Sequence, residues 1–351
     1  MKKPSWTLEE LYSKLKKVKV DNLLCQYTES RCKQMLPYIN DILKLKEEKD
    51  ATILAHSYVH PDIIYGIADH VGDSYELSKK AKETTKSTIV FPAVRFMAET
   101  AKILNPDKTV LDPNPNSRCS LADSIEYATL LKLKDKYPHH TFVCYINTTA
   151  AIKALCDVCV TSANAEKIIE NIPSDKIYFL PDALMAQNII AKLKKKNIEK
   201  EILYYDGACH VHYDYDQNII QTVKYTYPNA KVFAHPECRP EVVSRADMTG
   251  STSQMYDAVK KDKSQNPFLL LTECGIASRL QVEYPQAKIV GSCLLCKYMR
   301  ANNLEDIQKV LKEPKKNQII ELDKATIENA KKAIDKMFYY SQMETATQSQ
   351  K

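Results

Sequence analysis

Short apolar runs alternate with helix-spaced stretches along most of the chain. TILAHSY, TFVCYIN and KVFAHPE each carry one such run, and STIVFPA, KIYFLPD and PFLLLTE each carry the next. Runs of this length, rich in β-branched and aromatic residues and closed by polar residues or proline, predict strands. The stretches between them have helical spacing. Strands alternating with helices predict an α/β fold with parallel sheets. The flanks predict helices alone. Residues 5–20 begin with Thr7 and Glu10 at capping-box spacing, residues 30–48 are also helix-like, and Ile327, Ala330, Ile334 and Met337 mark one face of a C-terminal helix. The tail METATQSQK has little to bury, so residues 341–351 are expected to be disordered.

Within the strand–helix region the pattern repeats. Asp69 is followed five residues later by Ser74, Asp157 by Ser162, and Asp247 by Thr252. Upstream of each Asp an apolar run ends near His56, Tyr145 or His235. Downstream of each hydroxyl lies a cysteine: Ser74 to Cys119 is 45 residues, Ser162 to Cys209 is 47, and Thr252 to Cys296 is 44. The cysteines are thus 90 and 87 residues apart. This spacing predicts three βαβα units, at 51–125, 140–228 and 229–310, related by pseudo-threefold symmetry. Residues 1–50 then form N-terminal helices packed on that core, and 311–340 a C-terminal helical segment. In parallel sheets, functional groups gather beyond the C-terminal strand ends, where His56, Tyr145, His235 and the three hydroxyls fall.

Composition narrows the function. No run of 18 apolar residues occurs, so no spanning helix is expected. MKKPSWTLEELYSKL lacks the apolar core of a secretory signal, and its early acids argue against a transit peptide. The net charge of +6 is spread along the chain without interleaved aromatics, which argues against a nucleic-acid surface. There are 11 cysteines. Without an export signal they are expected in a reducing, cytoplasmic setting as core thiols, metal ligands or catalytic groups rather than disulfides.

Three equivalent cysteines in a pseudo-threefold arrangement converge naturally on one axis, and three thiolates suit a soft metal centre. A 4Fe–4S cluster normally takes four Cys, so three would leave one iron open as a Lewis acid. Two other readings exist. Cys156-x-x-Cys159 and Cys293-x-x-Cys296 could form a zinc site, although they lie far apart for one, or a thioredoxin-like redox pair. Cys25, Cys32, Cys144, Cys238 and Cys274 are most simply small hydrophobes.

The motifs LAHSY (54–58), GDS (72–74), FMAETAKILNPDKTVLDP (96–113), CSLADS (119–124), YINT (145–148) and TSANA (161–165) stand in this order. GACHVH (207–212), HPE (235–237), GSTSQM (250–255), TECG (272–275) and CLLCKYMRANNLE (293–305) follow. Together they resemble the quinolinate synthase family over roughly residues 35–340. The resemblance implies three similar α/β domains around a central 4Fe–4S cluster. It also implies condensation of iminosuccinate with dihydroxyacetone phosphate to quinolinate, phosphate and two waters, on the de novo route to NAD. L-Aspartate oxidase, which supplies the unstable imine in such pathways, is a possible functional partner; nucleic acid and membrane partners are not expected.

Residue by residue, the resemblance implies Cys119, Cys209 and Cys296 as cluster ligands, with Cys293 a rival that the repeat spacing disfavours. It implies His56, Ser74, Tyr145, Asn147, Ser162, His235, Glu237 and Thr252 as the substrate site, and Tyr58, His235 and Glu237 as the groups that move protons. His212 is expected to support the cluster loop, and His70, His139 and His140 to lie on the surface. Gly72 and Gly250 are expected to let the backbone approach a ligand closely. Lys297, Pro92 and Arg95 stand where the family tends to have Pro, Cys and His, and SRCS replaces a small-residue approach to Cys119. Another iron–sulfur hydro-lyase, a family member without catalysis, and a non-catalytic metal-binding protein are the alternatives.

Overall fold

The computed structural model describes residues 5–19 and 26–343. Cys25 and residues 344–351, most of the tail expected to be disordered, lie outside them. Among the described residues, eleven strands form three sheets, all parallel. In the first sheet, β1 (Ala51–His56) lies between β2 (His70–Gly72) and β3 (Thr88–Val90), with β4 (Thr109–Leu111) beyond. In the second, β5 (Thr141–Tyr145) lies between β6 (Val158–Val160) and β7 (Lys176–Leu180), with β8 (Glu201–Tyr204) beyond. In the third, β9 (Lys231–Ala234) lies between β10 (Met248–Thr249) and β11 (Phe268–Leu271). Where a fourth strand would pair with β11, two single bridges stand instead, Phe268 with Ile289 and Glu273 with Leu294.

The strand order is therefore the same in each sheet, and one side chain pins its first two strands together. Asp69, Asp157 and Asp247 each immediately precede the second strand of their sheet. Each donates its backbone N–H to a carbonyl of the first strand, on Ile53, Phe142 or Val232, at 2.8–2.9 Å. The same three residues return the bond, giving their N–H to the Asp carboxylate at 2.7–2.8 Å. A hydrogen bond to a charged acceptor contributes roughly 1.5–3 kcal/mol. The repeated Asp read from the sequence is thus a register clamp. Asp69 also holds Lys46 at 2.9 Å in a buried ion pair, which ties the helix Glu29–Glu48 to the first sheet.

The central strands are apolar because both faces are covered by helices; β1 and β11 are buried along their whole length. The N-terminal helix Leu8–Leu15 has the expected capping box on Thr7 and Glu10. The C-terminal helix Lys324–Gln342 buries Ala330, Ala333, Ile334 and Met337 against the helix Ala150–Leu155 and β6. Residues 341 and 342 thus belong to a helix and not to an unstructured tail. His140 also departs from expectation: its side chain is 8% exposed and packs on Tyr137. No helix among the described residues is long and apolar enough to cross a membrane.

Candidate active site

Loops leaving the three sheets close over one cavity. From the first unit it receives His56, Tyr58, Ser74 and Cys119; from the second, Tyr145, Asn147, Ser162 and Cys209. From the third come His235, Glu237, Thr252 and Cys296. Every site residue expected from the sequence lines this one space. His56 ends β1, Tyr145 ends β5, and His235 follows β9 directly. Ser74 and Thr252 are the first residues of the helices Ser74–Glu83 and Thr252–Lys261. Ser162 lies three residues ahead of its helix, Ala165–Asn171.

The two helix starts are locked to each other. Asp73 caps its own helix through the N–H groups of Tyr75 and Glu76, and its other oxygen accepts from Ser251 Oγ at 2.8 Å. Ser253 Oγ donates to Glu76 Oε2 at 2.7 Å. A Cβ on Gly72 would come within 2.4 Å of Glu76 Oε2, and one on Gly250 within 2.9 Å of Gln254 Oε1. These glycines make room for the side chains of the helices that follow them.

A continuous hydrogen-bonded chain crosses the cavity. Tyr58 Oη lies 2.5 Å from Thr252 Oγ1 and 2.7 Å from Thr272 Oγ1. Thr272 Oγ1 lies 3.0 Å from His212 Nε2, and His212 Nδ1 lies 2.8 Å from Glu237 Oε2. Tyr145 donates to Glu237 Oε1 at 2.5 Å. His235 stacks on His212 with centroids 4.3 Å apart, and Tyr58 meets His56 edge-on. Thr272 was not singled out from the sequence, although it stands in TECG. His212 belongs to this chain and also touches the Cys209 loop, its Nδ1 being 3.3 Å from Cys209 Sγ.

Burial sets the protonation states. It would raise Glu237, but His212, His235 and the bonds from His212 and Tyr145 prevail and hold the carboxyl below the usual range. His56 and His235 are pushed down to about 4 and about 3, chiefly by burial. Burial lifts the phenols of Tyr58 and Tyr145 well above their ordinary value, so both stay proton donors. The site therefore pairs an ionised carboxylate with neutral imidazoles and neutral phenols. Asn147 Oδ1 is buried with no hydrogen-bond partner among the described residues.

The cysteines separate by placement. Eight described cysteines are free, and only Cys119, Cys209 and Cys296 are partly exposed; Cys32, Cys144, Cys156, Cys159 and Cys238 are buried. Cys274 and Cys293 form a disulfide, which corrects two expectations: Cys274 is not a lone hydrophobe, and disulfides are not absent. The Glu273–Leu294 bridge brings their Cα atoms to 5.2 Å. Cys293 is thereby removed from the cavity, leaving Cys296 as the third thiol. Burial pushes Cys119 up to about 12, and neighbouring Cys296 adds to the shift; Cys209 is raised likewise, with Cys119 contributing. Three thiols that feel one another and resist ionisation alone form a donor set that a soft cationic centre would relieve. A second grouping is present: Cys209 Sγ, His212 Nδ1 and a Glu237 oxygen lie within 4.8 Å of one another.

A family model described as "Quinolinate synthetase A protein" matches residues 40–339. The chain belongs to the quinolinate synthase family. A quinolinate synthase of Caldicellulosiruptor bescii is 43% identical over 300 residues, which is 85% of this chain and 96% of the relative. Quinolinate synthase 1 of Mesorhizobium japonicum is 39% identical over 86% of this chain and 90% of its own length. The quinolinate synthase of Agrobacterium fabrum is 39% identical over 85% and 84%.

Against the quinolinate synthase pattern, Arg118, Asp73 and Glu273 are charged cavity residues that were given no role from the motifs. Glu273, almost fully buried, accepts from Gly275 N at 2.5 Å, Cys296 N at 3.3 Å and Arg300 Nε at 3.2 Å. It anchors the Cys296 segment. Asp73 and Glu273 stand inside the quoted motifs GDS and TECG, so the signal was there. What each side chain holds could not be read without the fold.

Proposed function

We propose that the chain is a quinolinate synthase that condenses iminosuccinate with dihydroxyacetone phosphate, giving quinolinate, phosphate and two waters in de novo NAD biosynthesis. The observation that carries this reading is the convergence of three thiols and the Glu237 chain on one cavity. Cys119, Cys209 and Cys296 would hold a 4Fe–4S cluster. When bound, its open iron supplies Lewis-acid chemistry for loss of a hydroxyl.

The chain's own residues do the rest. Ser74, Ser162, Thr252 and His56 bind and orient the carboxylates and the phosphate, two of them at helix starts whose N–H groups favour anions. Asn147 offers its unpaired oxygen to a substrate N–H or hydroxyl. Glu237, ionised and held between Tyr145 and His212, takes a proton from the carbon beside the ketone. Tyr58 donates a proton at its Oη and is resupplied through Thr272 and His212. His235, neutral, accepts a proton released in ring closure.

The three units are read as one fold repeated about a pseudo-threefold axis, with this cavity on it and the boundaries given above. The eight free cysteines fit a cytoplasmic location, and the Cys274–Cys293 disulfide stands against it. An unstable imine substrate fits supply by L-aspartate oxidase. The test is iron and acid-labile sulfide content of the anaerobically prepared chain, followed by a quinolinate assay. About four of each per chain with quinolinate formed supports the reading; a loaded chain without product overturns it. Cys209, His212 and Glu237 favour a second reading, a single zinc ion, for which metal analysis would give one zinc and no sulfide.

A further inference from the structure

A surface cleft of about 420 Å³ lies outside Cys119, lined among others by Arg95, Glu99, Asp123 and Asn317. It shares Phe96, Arg118 and Cys119 with the inner cavity, so the two spaces meet at these side chains. Charge on the inner wall is one-sided. Asp73, Glu237 and Glu273 contribute carboxyl groups, whereas Arg118 is the one lysine or arginine among the described residues that line it. A ligand carrying negative charge meets three acids there and a single fixed cation.

Arg118 is also available. Its side chain is 63% exposed, and its Nε is 3.0 Å from Oδ2 of Asp123, itself 30% exposed. Such exposed pairs contribute little and exchange readily with other anions. Arg95, in the same cleft, is committed to the fully buried Asp112 at 3.2 Å and to Glu99 at 3.8 Å. Of the two guanidinium groups, Arg118 is the one whose acidic partner is exposed.

We propose that the cleft is the access route for substrate and that Arg118 captures its anionic group, a carboxylate or a phosphate, by exchanging Asp123 for it. The inference rests on the condensation proposed above and deepens it. The planar guanidinium suits both anions, because each offers two oxygens to its fork of donors.

Steady-state kinetics on the anaerobic holoenzyme test this. In Arg118→Gln, KM for the captured substrate should rise about 10- to 100-fold, the span of a charged hydrogen bond, with kcat changed far less. A rise confined to dihydroxyacetone phosphate identifies the phosphate; one confined to iminosuccinate identifies a carboxylate. Arg118→Lys should fall between, and Asp123→Asn, which removes the competitor, should lower KM. Both KM values unchanged in Arg118→Gln would overturn the proposal, as would Asp123→Asn raising KM alongside it. If the loaded wild type forms no quinolinate, the condensation reading fails by itself. Calorimetry with inorganic phosphate and with succinate then decides capture: binding lost in Arg118→Gln supports it, and absent or unaffected binding overturns it.

Discussion

Two regions of the molecule use cysteine in opposite ways. In the second sheet, Cys144 and Cys159 face each other across β5 and β6, and Cys156 stands just before β6. All three are buried and lie against one another, with Lys153 close to Cys144 and Cys159. Around the cavity, Cys119, Cys209 and Cys296 follow the fourth-strand place of their sheets, on β4, β8 and the bridged Ile289–Leu294 stretch. There the backbone has left the sheet, and the thiols are partly exposed beside one another. The residue type is the same in both regions. Its position relative to the C-terminal strand ends decides whether a thiol packs or faces a site.

The most direct way to break this comparison is to exchange sulfur for oxygen in each region. Cys119→Ser, Cys209→Ser or Cys296→Ser should abolish iron retention and turnover together. Cys159→Ser should leave iron content at the parent level and lower stability only by about 1–3 kcal/mol, the cost of burying an unsatisfied hydroxyl. Iron analysis and a denaturant titration read both. Iron lost from Cys159→Ser would erase the distinction.

Next in size is Glu237→Gln. The amide keeps the shape and the bond from Tyr145 but removes the charge that accepts a proton. Turnover should fall about 10²–10⁴-fold, the usual range for a general base, with iron content unchanged. Equal turnover would show that the cavity's proton chemistry lies elsewhere on the Tyr58–Thr272–His212 chain.

Much of this was legible in the sequence, for physical reasons. Strand runs such as TFVCYIN are apolar because both faces of a parallel strand are covered, and the Asp-to-hydroxyl spacing repeats because each unit needs the same clamp and a hydroxyl at or just ahead of the next helix. Placement of His56, Tyr145 and His235 at strand ends followed from that. The rest depended on contacts between distant segments. Thr272 becomes part of the site only because Tyr58 and His212, from different units, meet on it. Arg118 lies between the motifs that end at Pro113 and begin at Cys119, so no motif marked it. The glycine motifs show that space is needed, but that Glu76 and Gln254 occupy it came only with the fold.

A smaller effect separates the cavity from the buried sulfur region by pH. An unfolded His binds a proton below about 6.5, but His56 and His235 refuse it until about 4 and about 3. The unfolded chain binds more protons in that window, so their stabilisation is complete above pH 6.5 and is lost as pH falls toward 4. Asp112, pushed up to about 6 by burial, acts the other way over a narrower span. The thermal midpoint should therefore be lower at pH 5 than at pH 7. His56→Asn should flatten that dependence, and Cys159→Ser should not.

The smallest effect belongs to Cys293→Ser, and it sharpens the comparison most finely, because Cys293 and Cys296 are neighbours in one segment. Cys296 reaches the cavity, while Cys293 is bonded to Cys274 on the far side of the Glu273–Leu294 bridge. Glu273 holds the Cys296 N–H and Arg300 irrespective of that disulfide, so the Cys296 segment has its own anchor. Iron content and turnover of Cys293→Ser should match the parent. With a thiol reductant present, the two proteins should also melt together, since the bond is then open in both. Loss of iron from Cys293→Ser with retention in Cys296→Ser would move the third ligand by three residues and reverse the assignment of the two thiols.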